Sequence, residues 1–251
     1  MKKIYILPNL FTTANMGCGF LGMAFATQGK FLEAAYTLIA AMFFDAMDGR
    51  IARLARATSA FGVQYDSLSD LLSFGVSPAF IVYLWCLQPL GRLGLLISFL
   101  YLTCTALRLA RFNVLSQTVP KKYFQGLPSP LAAATVVTGL IFYIETSMTF
   151  RKDWFMFVIL LITSSLMISN VAFYSFKEFK IRKENSFQVL ALGILFFILI
   201  SVKHEVTLFF ICVFYIGATL ILRTSQALVG KSVSSVPKNG SDSSQPESPG
   251  H

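Results

Sequence analysis

A chain of 251 residues that is 55% hydrophobic and only 13% charged falls well short of soluble domains, in which about 25% of residues are charged; this excludes a water-facing globular fold over most of the length. The net charge of +9 does not point to nucleic acid, because the basic residues form no continuous run and sit between apolar segments, the juxtamembrane pattern that meets anionic headgroups. Cys18, Cys86, Cys104 and Cys212 stand singly in apolar stretches, without metal-ligand or paired spacing, and read as small buried hydrophobes.

Lys2 and Lys3 followed by an apolar stretch imitate a secretory leader, but no small-residue cleavage site follows and many further apolar segments do, so the segment reads as retained. Residues 1–9 are expected to form an interfacial lead-in, with Pro8-Asn9 as a turn. Helical spans are predicted over 10–27, 32–50, 66–86, 93–112, 129–147, 154–175, 187–202 and 205–222. The seventh is short for a hydrocarbon layer of about 30 Å. The expected architecture is therefore all-α, a polytopic integral membrane bundle of six to eight transmembrane helices. Residues 1–225 form the membrane domain, and 226–251, rich in Ser, Pro and Gly, read as a disordered cytoplasmic tail. With the N-terminus inside and the spans alternating, sixteen of the 21 Lys and Arg residues fall on the inner side. The positive-inside rule then makes this a multi-pass protein of the cell (inner) membrane, with residues 45–70 near the cytoplasmic face.

Only 12 residues are acidic, and four of them, Asp45, Asp48, Asp66 and Asp70, lie close together in sequence beside apolar helix. A carboxylate at mid-membrane costs on the order of 3 kcal/mol, less near the interface, and here the cost recurs four times in one place. Asp45 and Asp48 are three apart on one helix; Asp66 and Asp70 are four apart on the next. Each pair shares a helix face. A linker of roughly Arg56 to Gly62 lets the helices return antiparallel and aim four carboxylates at one volume. Such a cluster needs cations. An all-oxygen donor set without His or Cys favours Mg²⁺ or Mn²⁺ over Zn²⁺, and two ions would balance four carboxylates while leaving positions for a phosphate. Salt bridges to Arg50, Arg53 and Arg56 would not explain the face-matched pairs. A cation or proton pathway, as in a cation-coupled transporter, uses intramembrane carboxylates too, and spacing alone leaves it open.

Residues 45–70 read DAMDGRIARLARATSAFGVQYDSLSD. This resembles the motif of the CDP-alcohol phosphatidyltransferases, D-x-x-D-G-x-x-A-R, eight residues, then G-x-x-x-D-x-x-x-D. Every fixed position is present: Asp45, Asp48, Gly49, Ala52, Arg53, Gly62, Asp66 and Asp70. The resemblance implies a phosphotransferase that uses CDP-diacylglycerol and works as a homodimer in the lipid bilayer. It implies that Asp45, Asp48 and Asp66 bind metal, with Asp45 and Asp66 bridging two ions, and that Asp70 binds the second ion and serves as general base. It further implies that Gly49, Arg53 and Ser59 contact the CDP moiety, helped by Asn9 and Thr12 of the PNLFT segment. The residues agree on the base: His204 falls on the outer side and His251 ends the tail, so a carboxylate must take the acceptor's proton.

The segments RLARFN (108–113) and QGLPSP (125–130) resemble the serine-accepting bacterial branch of that family. L-serine is then the expected acceptor, with Arg108 and Arg111 available to its carboxylate and Asn113 to its amino-acid head. Glycerol 3-phosphate is anionic too and remains an alternative. Gly126, Pro128 and Pro130 are expected to shape a re-entry turn below the site.

Overall fold

A computed structural model describes residues 6–54, 59–115, 124–146, 149–169, 171–173 and 204–234. The expected span over 187–202 and the tail residues 235–251 lie outside the described residues. The described chain is helical, apart from one two-residue strand pair. Helix α1 spans Ile6–Thr27 and α2 Phe31–Leu54; a composite helix α3 spans Ala60–Leu90; α4 covers Arg92–Leu115, α5 Ser129–Glu145, α6 Lys152–Ile168 and α7 His204–Ser234.

Four boundaries differ most from the sequence expectation. The span expected over 154–175 ends as a helix at Ile168, and its remainder includes the Ala172–Phe173 strand, which pairs with Phe124–Gln125 and so cannot continue the helix. Helix α1 begins at Ile6, so no lead-in turn forms at Pro8-Asn9. Proline is tolerated in the first helical turn, where its missing N–H would have no intrahelical partner. Helix α3 begins at Ala60, six residues before the expected start, because Ser59 caps it by accepting the Gly62 N–H at 2.9 Å. Helix α7 continues past residue 225 to Ser234.

Small residues set the spacing of the bundle. A Cβ on Gly22 would stand 2.8 Å from Thr37 Oγ1 and 3.3 Å from the Ala34 carbonyl, so α1 and α2 approach closely there. Along the α1–α3 seam, Ser69, Ser73 and Ser77 donate to the carbonyls of Thr12, Asn15 and Gly19, each at 3.0 Å. An α-helix drifts by about 40° for every four residues. Between Leu71 and Val76 α3 widens into a π-helix, which offsets part of that drift and keeps the serines on one face. Side chains add to the carbonyls of the widened turn: Tyr101 donates to Phe74 O at 3.1 Å, and the Ser77 hydroxyl to Leu72 O at 2.8 Å, which also accepts the Ser77 N–H.

The chain after α4 is pinned to the end of α6. Gly126 has φ +81°, and a Cβ there would lie 2.3 Å from Met167 O; only glycine fits. Its N–H donates to Val171 O at 2.9 Å and that of Leu127 to Leu166 O at 3.0 Å, beside the Phe124–Phe173 and Gln125–Ala172 pairing. The expected turn is present, and it delivers Ser129 and Pro130 to the first turn of α5.

Helices Ala60–Leu90 and Arg92–Val114 are long and apolar enough to cross a membrane, and Ser129–Glu145 and Val206–Ile221 are shorter apolar helices. The inward faces bury Ala34, Leu38, Leu140 and Leu160 along with Thr105, Thr163 and Ser164. The outward faces expose Phe20, Leu96, Phe99 and Phe214. An apolar exterior around a core of small and hydroxylated residues suits lipid as the surrounding medium.

Candidate active site

Asp45 and Asp48 project from the second half of α2, Asp66 and Asp70 from the first part of α3. Oxygens of Asp45, Asp48 and Asp66 all lie within 4.8 Å of one another. Asp70 adjoins this group through Asp45, whose side chain is within hydrogen-bonding distance of its own. The two face-matched pairs therefore converge, with three carboxylates tightly grouped and the fourth at their edge.

Helix α1 holds the group together. Thr12, buried, donates to Asp48 Oδ2 at 2.9 Å and shares the same hydroxyl with Pro8 O at 3.2 Å. Asn15, fully buried, points Nδ2 at Asp70 Oδ1 over 3.4 Å. Both side chains are fixed from behind, since Ser69 and Ser73 of α3 bind the backbone carbonyls of these same two residues. Sequence reasoning found Thr12 and missed Asn15. The available signal was the spacing of three from Asn9 to Thr12 to Asn15, which puts them on successive turns of nearly one face.

The donor set fits a hard divalent cation. Every donor is a carboxylate oxygen, and Asp66 Oδ1 is buried with no hydrogen-bond partner among the described residues. Between described residues the one salt bridge is Arg151–Asp153, so none of the four aspartates has a described salt-bridge partner, although Arg108 is in electrostatic reach of Asp70.

Beside the carboxylates there is room. A Cβ on Gly49 would meet nothing within 4 Å. At the start of α3, a Cβ on Gly62 would meet Ser59 Oγ at 3.1 Å and Asn9 Oδ1 at 3.5 Å, so Asn9, Ser59 and Gly62 come together at that helix end. Arg53 lies on α2; its side chain is outside the described residues.

Of the expected acceptor residues, two are brought toward α3. Arg108 is within electrostatic reach of Asp70 and donates from Nη1 to Ser129 Oγ at 2.7 Å. Asn113 donates from Nδ2 to Ser67 Oγ at 2.9 Å, one position after Asp66, while that hydroxyl lies 3.3 Å from Asn113 Oδ1. Arg111 extends Nη1 toward Ile168 O, 3.5 Å away at the end of α6.

The family model for CDP-alcohol phosphatidyltransferases matches residues 5–168. A CDP-diacylglycerol–serine O-phosphatidyltransferase of Helicobacter pylori is 36% identical over 183 residues, which covers 72% of this chain and 76% of that protein. An archaetidylserine synthase of Methanothermobacter thermautotrophicus is 36% identical over 173 residues, 66% of this chain and 69% of that protein. A CDP-diacylglycerol–serine O-phosphatidyltransferase of Bacillus subtilis is 34% identical over 131 residues, 52% of this chain and 73% of that protein. The matched region takes in the helices that carry all four aspartates and the α1 side chains that hold them, and the chain belongs to the CDP-alcohol phosphatidyltransferase family.

Proposed function

We propose that this protein transfers the phosphatidyl group of CDP-diacylglycerol to the hydroxyl of L-serine, giving phosphatidylserine and CMP. The observation that carries the chemistry is the convergence of Asp45, Asp48 and Asp66, with Asp70 at their edge and Arg108 in electrostatic reach of it. The serine acceptor is supported by the relatives that carry that activity in their names. Family membership weighs against a cation-coupled transporter, while glycerol 3-phosphate is the in-family alternative acceptor.

Asp45, Asp48, Asp66 and Asp70 would hold Mg²⁺ or Mn²⁺, by resemblance two ions, which when bound supply positive charge to the pyrophosphate and to departing CMP. Asp70 stands at the edge of the group and is steered by Asn15; it accepts the hydroxyl proton. The hydroxyl oxygen attacks the phosphorus bonded to diacylglycerol, a new P–O bond forms, and the P–O bond to CMP breaks. Arg108 meets the acceptor's carboxylate, and Asn113, carried by Ser67, borders the same side; Arg111, which extends toward Ile168 O, is retained as an acceptor residue by resemblance alone. Gly49 leaves space for the nucleotide, which by resemblance Asn9, Thr12, Arg53 and Ser59 contact. The distribution of Lys and Arg supports a multi-pass inner-membrane protein with this site facing the cytoplasm. The resemblance supports a homodimer.

Membranes containing the protein, given CDP-diacylglycerol with labelled serine or glycerol 3-phosphate, test the reading. Metal-dependent CMP release with serine incorporation is expected. CMP release with label only from glycerol 3-phosphate would replace the acceptor, and no CMP release would defeat the chemistry.

A further inference from the structure

Arg108 is partly buried; its Nε is fully buried with no partner among the described residues, and no described carboxylate forms a salt bridge with it. A buried guanidinium left in that state is costly. One of its donors is spoken for: Nη1 is held at 2.7 Å by Ser129 Oγ. Ser129 is itself fully buried in the first turn of α5. Its place is fixed by the loop before it, where Gly126 and Leu127 are hydrogen-bonded to Val171 and Leu166 and the Gly126 backbone admits no side chain. The hydroxyl is thus anchored on α5 and α6, while Arg108 comes from α4. A guanidinium gripped at Nη1 has its rotation about the chain stopped, and its Nε edge is the one that makes two parallel bonds to a planar oxyanion.

We propose that Ser129 is a specificity-determining positioning residue: it sets the rotation of Arg108 so that the Nε edge receives the carboxylate of the acceptor. This rests on the acceptor-binding role given to Arg108 above. The reacting hydroxyl of the same acceptor is then directed toward Asp70, which lies within electrostatic reach of Arg108. Serine at 129 acts through Arg108 and touches no reacting atom.

Steady-state kinetics of Ser129→Ala, Ser129→Cys and Ser129→Thr test this in the full-length protein in membranes. In Ser129→Ala the KM for serine is expected to rise roughly tenfold or more, the scale of a lost hydrogen bond to a charged group, and by a larger factor than kcat or the KM for CDP-diacylglycerol changes. Ser129→Thr, which keeps the hydroxyl, restores the KM. Ser129→Cys keeps the size with a weaker acceptor and falls between, so the comparison survives if the alanine variant does not fold. A merely structural role would lower kcat and raise both KM values together, and that pattern, or an unchanged KM for serine, overturns the proposal. If the wild-type protein uses glycerol 3-phosphate and no serine, the serine reading fails while the same selective KM change measured with glycerol 3-phosphate upholds the role of Ser129. Use of neither anionic acceptor overturns both.

Discussion

Carboxylates occur at both ends of this bundle, and they are treated differently. At the end where α5 turns into α6, Asp153 lies 2.6 Å from Arg151 Nη2, and the neighbouring Lys152 stands over the Trp85 ring. At the other end, Asp45, Asp48, Asp66 and Asp70 meet one another, with a threonine hydroxyl and an asparagine amide as their described partners. A stabilising ion pair is locally complete. A group of acids steered by neutral donors is not, and the charge it lacks has to come from a ligand. The difference separates a structural carboxylate from a functional set better than sequence position does.

The largest effects should follow from removing a member of the functional set. Asp70→Asn is expected to lower serine transfer by on the order of 10² to 10⁴-fold, the range of general acid–base contributions, and Asp66→Asn, which removes a metal ligand, to lower both transfer and metal affinity, while circular dichroism and detergent extraction stay as in the wild type. Chelation should abolish transfer, and added Mg²⁺ or Mn²⁺ should restore it. An Asp66→Asn protein with wild-type turnover and metal response would place the two ends of the molecule on the same footing.

The neutral donors come next. Thr12→Val keeps the shape and deletes the hydroxyl that reaches Asp48; Asn15→Leu does the same for the amide aimed at Asp70. Outer partners of this kind are typically worth about 10–100-fold in activity or metal affinity. Each variant should lose transfer in that range, and both should need more metal for half-maximal rate. Loss of thermal stability with turnover unchanged would make these side chains packing residues only.

Much of this end of the molecule was legible in the chain itself, because spacings of three and four on adjacent helices leave few ways to arrange four carboxylates. Thr12 was legible by resemblance. Asn15 was legible only as one more polar residue at a spacing of three from Thr12; that it faces Asp70 comes from the docking of α3. The helix starts at Ile6 and Ala60 were obscured for local reasons: Pro8 reads as a turn until its place in the first helical turn is known, and the helix-capping role of Ser59 carries no sign in the sequence before its side chain is seen accepting the Gly62 N–H. The π-helix at Leu71–Val76 has no pattern of its own. It follows from docking Ser69, Ser73 and Ser77 onto α1, which is a tertiary demand. Ser129 was read only as part of a turn because its partner, Arg108, is distant in sequence.

That docking supplies a smaller effect. A Cβ on Gly19 would stand 2.7 Å from Ser73 Oγ and 3.0 Å from Ser73 Cα, and the latter is backbone that cannot swing aside. Gly19→Ala should destabilise the protein by about 1–3 kcal/mol, the usual cost of overpacking, seen as a lower midpoint in thermal unfolding. Because Ser73 also holds the Asn15 carbonyl, transfer should fall somewhat as well, by less than in Asn15→Leu. Unfolding unchanged by the substitution would mean that the α1–α3 seam is looser than its distances imply.

The smallest effect belongs to the other end. The hydrogen bond from Arg151, then the backbone N–H of Trp154 and the Arg151 charge, hold the Asp153 carboxyl below the usual carboxylate range against the opposing effect of burial. A depressed carboxyl stabilises the fold above its unfolded value of about 3.9 and loses that contribution as the pH falls through the folded value. Arg151 is 69% exposed, so water and salt screen the pair. Asp153→Asn should therefore leave transfer at neutral pH unaltered and lower the thermal midpoint slightly there. The gap between variant and wild type should begin to narrow below about pH 4 and close once the pH has fallen through the lower folded value, where both lack the charge. A gap that persists in acid would show that the aspartate acts through its hydrogen bonds at the start of α6 and not through its charge. A loss of transfer approaching that of Asp66→Asn would undo the contrast altogether, because a locally satisfied ion pair at the far end of the bundle would then be as necessary to the chemistry as the acids that meet without a described salt bridge.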